Sequence, residues 1–391
     1  MKKVLPVIVI SQFFCTSLWF AGNAILPDLT KHFHLESHNI AHFISAVQFG
    51  FITGTFTFAL SGIVDRFVAT RIFFVCSILA ALCNISIVFL NTNEAILVIS
   101  RFLTGFFLAG IYPVGMKIAS DHYQKGLGKS LGLLVGALVL GTAFPHFLKG
   151  FNTNYSWTFV LYATSSLSIL GGLLMVSFVP KGEYSTIGKK INFRAISQGF
   201  KIKKFRKPAL GYFGHMWELY TFWAFLPALI LIYKTNHHLS KINISRWSFI
   251  IIAFGSIACV ISGYISQYFG TKRIAVIALF LSCLCCLTSP LFILYANEIA
   301  LFLFLLFWGM VVIADSPLFS TLVAQNAPTE SKGTLLTITN CIGFSLTIIS
   351  IQLFGILSEI INSVYLFVFL SIGPIFGLIT MFGKDEILEI K

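Results

Sequence analysis

Apolar residues run along this chain in long unbroken blocks, with the polar residues gathered in short clusters between them. A helix needs roughly 20 apolar residues to cross the hydrocarbon core of a bilayer. Blocks of that kind occur at 4–27, 39–64, 72–90, 95–120, 130–149 and 157–179, then at 208–233, 247–265, 274–294, 299–323, 334–357 and 364–382. They lack the apolar–polar alternation of a barrel strand, so they predict helices. The expected fold is an all-α polytopic membrane protein with twelve transmembrane helices.

Composition agrees. The 391 residues are 57% hydrophobic and 10% charged, with 42 Phe and a mean hydropathy of +0.88, where a soluble domain is about 45–50% apolar and about 25% charged. The net charge of +13 does not point to nucleic acid, because the basic residues are spread over alternate loops. With the N-terminus placed inside, the 27 Lys and Arg all fall on the inner side except Lys31, Arg101, Lys149, Lys234, Lys241 and Arg246. The positive-inside rule then puts both termini in the cytoplasm, as for a protein of a cell inner membrane.

Two features invite other readings. Met1–Lys3 followed by an apolar run, with AGNA at 21–24, imitates a signal peptide. Cleavage there would leave an odd number of spans, so the first helix is expected to be retained. The eight Cys (15, 76, 83, 259, 283, 285, 286, 341) all lie in apolar blocks, with no C-x-x-C in a loop. They are expected to be free thiols rather than disulfides or zinc ligands.

One long hydrophilic interruption, 181–207, carries nine basic residues against Glu183 and separates six spans from six. The domains read as 1–180, a basic cytoplasmic linker 181–207, and 208–391. Internal duplication is visible at nearly one offset. SGIVDRFVATR (61–71) corresponds to GYISQYFGTKR (263–273), Pro113 to Pro317, and Gly128 to Gly333, shifts of 202, 204 and 205 residues.

This arrangement resembles the major facilitator superfamily of secondary transporters. The family's loop between spans two and three reads G-x-x-x-D-[RK]-x-G-x-[RK]-[RK]. Asp65, Arg66 and Arg71 match the first copy, with Ser61 and Val68 in place of the two glycines; Gly263, Gly270, Lys272 and Arg273 match the second, with Gln267 at the acid. RFLTGFFLAG (101–110) is similar to the family's R-x-x-x-G element through Arg101 and Gly105. The strings GHMWELY (214–220) and ADSPLFS (314–320) resemble bacterial members without an assigned substrate. The resemblance covers nearly the whole chain. It implies two pseudo-symmetric six-helix bundles, alternating access, and a gating role for those loop residues.

The chemistry is in the buried polar groups. Glu218 lies about ten residues beyond the basic end at Lys207, roughly 15 Å along a helix, too far to snorkel. An ionised group at mid-membrane costs about 2.5–3.5 kcal/mol on insertion scales. Glu218 must therefore face water, find a partner or carry a proton, the last being what a proton carrier does. His215 is three residues earlier, on the same face. Asp315 repeats the theme two residues before Pro317, where the loosened turn frees a carbonyl and the Ser316 hydroxyl. Tyr112-Pro113 is at the matching place in span four, and paired interruptions of this kind point to a midplane site. Spans one, four, seven and ten line the cavity in the family, which implies that Glu218, Asp315, Tyr112 and Arg101 share one water-filled space. Arg101 is either an anion contact or an interfacial residue reaching the outer surface, and His146 beside Pro145 reads as interfacial. Trp19, Asn23, Trp217, Tyr220 and Trp223 are candidate cavity lining, or else packing.

The expected function is a proton-coupled secondary transporter of a small solute, with Glu218, His215 and Asp315 handling the proton. Its other partners are the lipid bilayer and the solute; no cofactor, metal or nucleotide is expected, and the chain is expected to work as a monomer. The alternative within the fold is an efflux antiporter for drugs or metabolites. GLLVGALVLGTAFP (132–145) has the glycines of the antiporter element in span five but no Gly-Pro pair. A membrane-embedded metal enzyme would use His215, Glu218 and Asp315 as ligands, H-x-x-E being a legitimate spacing. No second His is near in the sequence, so the chain reads as no enzyme.

Overall fold

The computed structural model describes residues 4–35, 37–89, 94–123, 127–151, 156–184, 193–239, 241–328, 330–361 and 363–382. Twelve membrane spans fold as two six-helix bundles. Among the described residues, ten spans contain helices long and apolar enough to cross a membrane: Ile40–Ser61, Ala69–Phe89, Glu94–His122, Gly132–Phe151, Trp157–Phe178, Lys203–Asn236, Ile244–Phe269, Thr271–Tyr295, Glu298–Asn326 and Lys332–Ile360. The first and last spans are built from shorter pieces. Span one is Val4–Thr16, Ala21–Ala24 and Leu26–Phe33, and span twelve is a 3-10 turn at Leu366–Ser371 followed by Ile372–Phe382.

Spans four and ten are interrupted at matching places. Glu94–Leu108 gives way to a turn at 109–111 before Tyr112–His122, and Glu298–Ala314 stops at Asp315 before Ser316–Asn326. Pro113 and Pro317 each stand in the first turn of the new helix, where the missing N–H is not needed. All eight cysteines are free.

The duplication extends to packing. A Cβ at Gly50 would land on the Phe102 carbonyl, and one at Gly105 on the Val47 carbonyl, so spans two and four cross backbone to backbone. In the second half a Cβ at Gly309 would lie 2.5 Å from the Ile251 carbonyl and one at Gly255 3.0 Å from the Gly309 carbonyl, the same crossing between spans eight and ten. Small residues let membrane helices approach this closely.

The halves meet along two seams. Between spans five and eight, Asn243 Nδ2 donates to the Gly150 carbonyl at 3.1 Å and Phe147 packs on Phe249 at 5.0 Å. Further along, a Cβ at Gly136 would lie 3.5 Å from the Ser256 carbonyl, while one at Gly132, one turn nearer the basic end, would meet nothing within 4 Å. Between spans two and eleven, Gln352 Nε2 donates to Ser45 Oγ at 2.6 Å and Phe51 meets Phe344 at 4.6 Å. These contacts gather toward the end opposite the basic loops.

Of the linker, 193–201 forms a helix whose Gly199 sits against Leu335 of span eleven; residues 185–192 lie outside the described residues, as do Lys2, Lys3, Lys125, Lys384 and Lys391.

Candidate functional site

In the first half a buried cation sits among spans one, three, four and six. Span one loses its helix at 17–20, where Thr16 Oγ1 turns back to the Gln12 carbonyl at 2.8 Å and Ser17 Oγ to the Phe14 carbonyl at 2.7 Å. The turn leaves the Leu18 carbonyl with a long bond from the Ala21 N–H, 3.4 Å, and the Trp19 carbonyl open to a side-chain donor. Arg101 binds both. Its Nη1 donates to the Leu18 carbonyl at 3.2 Å and to Asn84 Oδ1 at 3.4 Å, and its Nη2 donates to the Trp19 carbonyl. Asn84 is held in turn by Thr164 Oγ1 at 3.2 Å and Ser165 Oγ at 3.0 Å. Arg101 is 0% exposed, which removes the interfacial reading. His146, near the outer end of span five, is likewise buried within the protein, 1% exposed.

The second half holds acids in the corresponding spans seven and ten, with donors from span nine. Glu218 Oε1 accepts from Ser282 Oγ at 2.5 Å, Trp308 Nε1 at 2.8 Å and Cys286 Sγ at 3.2 Å. Span seven stays helical from Lys203 to Asn236, so its own N–H groups are occupied and the donors come from neighbouring side chains. One turn away, His215 Nδ1 lies 2.8 Å from Asp315 Oδ1 at the break of span ten. This is an ion-pair separation rather than an aligned hydrogen bond, and His215 Nε2 is left without a partner. His215, Glu218 and Asp315 are each 1% exposed. Glu218 and His215 engage different neighbours, so the H-x-x-E pair does not converge as metal ligands would.

Between the halves lies a third group, built from rings. Trp19 packs on Tyr220 at 5.8 Å and on Phe344 at 5.7 Å; Tyr220 packs on Trp223 at 5.5 Å; Phe20 meets Trp223 edge-on at 6.2 Å. Trp19 and Trp223 are 204 residues apart, the repeat offset. Their buried indole N–H groups have no hydrogen-bond partner, and neither do Asn23 Nδ2 and the Gln48 amide. Buried donors are almost always satisfied in folded proteins. Trp19 and Trp223 thus bring two unsatisfied indole donors to one aromatic cluster between the halves.

The sequence-derived candidates thus divide. Trp19, Tyr220 and Trp223 come together and Asn23 shares their unpartnered state. Trp217 is elsewhere, its side chain against Gly373 of span twelve. Tyr112, half-buried, and Ser316 begin the second helices of spans four and ten. The single water-filled space expected for Arg101, Tyr112, Glu218 and Asp315 is not what this state shows. Arg101 is enclosed in one half and both acids in the other, engaged by side chains.

At the gating loops, Gly62 adopts φ +64°, followed by the short helix Ile63–Arg66 and the start of span three at Ala69; the side chain of Asp65 lies outside the described residues. The second copy differs from its expected loop. Gly263 is inside span eight, which continues to Phe269, and only Gly270, at φ +89°, makes the turn before Thr271. Arg66, Arg71, Lys272 and Arg273 are exposed.

Sequence reasoning missed Asn84, Gln48, Ser282, Cys286 and Trp308. Asn84 and Gln48 were findable as lone amides in apolar blocks. Trp308 and Cys286 carry no such signal, since both residue types ordinarily pack.

The family profile described as Major Facilitator Superfamily matches residues 8–351. An uncharacterized transporter of Buchnera aphidicola, BU588, is 24% identical over 191 residues, a match spanning 48% of this chain and 45% of that protein. The chain thus covers about half the length of that relative. Among solved structures, the human organic anion transporter MFSD10 (TETRAN) superposes with a TM-score of 0.76 at 13% identity, over 97% of this chain and 99% of that one. The proton:xylose symporter XylE superposes with a TM-score of 0.74 at 13% identity, over 97% and 94%.

Proposed function

Since the chain belongs to the Major Facilitator Superfamily and is a multi-pass membrane transporter rather than an enzyme, we propose that it moves a small, acceptor-bearing solute by coupling to protons. One observation carries the coupling. Two carboxyl groups are enclosed in the second half, and among the described residues no Lys or Arg stands within ion-pair distance of either. His215 is the one titratable base beside them, so charge balance inside that half falls to protons.

In this reading the Trp19–Tyr220–Trp223 cluster binds the solute between the halves. The basic end faces the cytoplasm of a bacterial-type inner membrane, with both termini on that side. The seams at Asn243–Gly150 and Gln352–Ser45 close the opposite face. Rocking the halves would part those seams and bring spans seven and ten into contact with water, letting Glu218 and the His215–Asp315 pair exchange protons. A single chain suffices for this cycle.

The test is solute uptake into proteoliposomes with and without an imposed pH gradient. Glu218→Gln should keep solute counterflow, which needs no net proton movement, while gradient-driven accumulation falls to background. Undiminished accumulation in that variant would remove Glu218 from the mechanism.

A further inference from the structure

Two cavities at the basic end of the first half adjoin and share a lining. The first, about 190 Å³, is polar. It is bounded by Arg66, Lys117, Asp121, His122 and Lys181, and by the first residues of span three, Ala69 and Thr70. The second, about 500 Å³, is an apolar groove along spans two, three and four, walled by Phe58, Ile72, Val75, Leu79, Phe106 and Phe107, with Arg71 at its mouth. Arg66, Phe67 and Val68 line both.

Each cavity has a feature the transport cycle does not use. In the polar one, the 21-residue helix Ala69–Phe89 begins with the amides of Ala69 and Thr70 free among the described residues, those of Arg71 and Ile72 donating to the Val68 carbonyl at 2.9 and 3.2 Å. His122 is 9% exposed and fixed by its Nδ1 contact with the Ile118 carbonyl at 2.8 Å, while its Nε2 has no partner. Among the described residues no carboxylate lies within ion-pair distance of Arg66, Arg71 or Lys181; the acid present, Asp121, stands 3.8 Å from Lys117. In the groove, Phe67, Val68 and Val75 are 64%, 40% and 50% exposed. The sequence around the cavities reads V-D-R-F-V-A-T-R, with Arg66 and Arg71 flanking the apolar stretch Phe67–Ala69 and Asp65 preceding it, at the point where a span meets the membrane surface.

We propose that these two cavities form one seat for an anionic phospholipid. The phosphate lies on the start of span three among Arg66, His122 and Lys181, and an acyl chain lies in the groove over Val75 and Leu79. Charge complementarity chooses an anionic lipid over a zwitterionic one, since among the described residues lining the headgroup cavity Arg66, Lys117 and Lys181 stand against one acid, Asp121. The apolar groove chooses a lipid over a free anion, because a phosphate alone would leave it uncovered. A lipid held there would bridge the loop after span two to spans three and four, the loop in which the transporter family places its gate.

Native mass spectrometry of the purified full chain, titrated with equal phosphatidylglycerol and phosphatidylcholine, tests this. The wild type should retain one phosphatidylglycerol in preference to phosphatidylcholine. Arg66→Gln with Arg71→Gln should reduce that retention by at least about tenfold. Val75→Trp, which fills the groove without altering charge, should reduce it as well. Lys272→Gln with Arg273→Gln, the matching pair in the second half, should leave it unchanged. Equal retention of the two lipids by the wild type overturns the proposal, as does full retention in Val75→Trp, or an equal loss in the Lys272/Arg273 variant. Displacement of the lipid by inorganic phosphate at equimolar concentration would also overturn it, by placing all the affinity in the headgroup cavity. All of these changes are at exposed positions, and monodisperse elution with an unchanged thermal midpoint certifies each variant.

Discussion

The two halves hold buried charge of opposite sign in corresponding sets of spans. In the first, Arg101 is bound by the carbonyls of Leu18 and Trp19 and by Asn84. In the second, Glu218 is bound by a hydroxyl, a thiol and an indole. The difference lies in what a helix can offer. A cation needs acceptors, and backbone carbonyls become available where a helix opens, so span one breaks at 17–20. An acid needs donors, and the N–H groups of an intact helix are already used. Side chains from spans nine and ten supply them, and span seven runs unbroken through the corresponding residues 221–224. The same scaffold thus stores a cation by unwinding and an acid by recruiting neighbours.

That contrast can be broken by substitution. The largest effect expected is on coupling: Glu218→Gln removes gradient-driven uptake while the protein keeps its stability, because an amide oxygen still accepts from Ser282 and Trp308. Arg101→Met should act differently. It leaves the Trp19 carbonyl and Asn84 Oδ1 without a donor and should lower stability by about 1–3 kcal/mol, read as a drop in thermal midpoint in detergent. Were Arg101→Met as stable as the wild type, the link between the cation and the opened helix would be wrong.

The matched glycine crossings provide a smaller contrast. Gly105→Ala drives a methyl into the Val47 carbonyl and should cost about 1–3 kcal/mol. Gly309→Ala, with 2.5 Å to the Ile251 carbonyl, should cost less. Thermal unfolding of the two variants side by side gives the order, and a reversed order would deny that the first crossing is the tighter. Smaller again, Trp19→Phe and Trp223→Phe each remove one unpartnered indole donor but keep the ring stacking. Each should weaken solute binding about threefold to tenfold by calorimetry, and equally, if the solute lies on the pseudo-twofold axis. Gln352→Ala, which deletes the 2.6 Å bond to Ser45, should shift the open–closed balance by under about 1 kcal/mol. Spin-label distances between spans two and eleven would show a modest rise in the parted population.

Hydrophobic run length, prolines and charge asymmetry made much of the fold legible. The twelve spans follow from bilayer thickness, and the breaks in spans four and ten were announced by Pro113 and Pro317, since a missing N–H acts locally. The break in span one had no such marker. It depends on Arg101, which is 82 residues from Trp19, and no local pattern records so distant a partner. The second gating loop was misplaced for a related reason. GYISQY is polar enough to read as a loop, yet its backbone bonds are satisfied within span eight until Gly270 permits the turn.

The chain by itself determined that it spans a membrane many times, that its halves repeat, and that acids are buried in its seventh and tenth spans. Each of these is a property of one segment and its solvent. Only the tertiary structure decided which groups meet: Glu218 with Ser282, Cys286 and Trp308, His215 with Asp315, and Trp19 with Tyr220 across the halves. Partner choice depends on helix rotation and crossing, set by close contacts such as Gly105 on Val47, and those are summed over residues far apart in the chain.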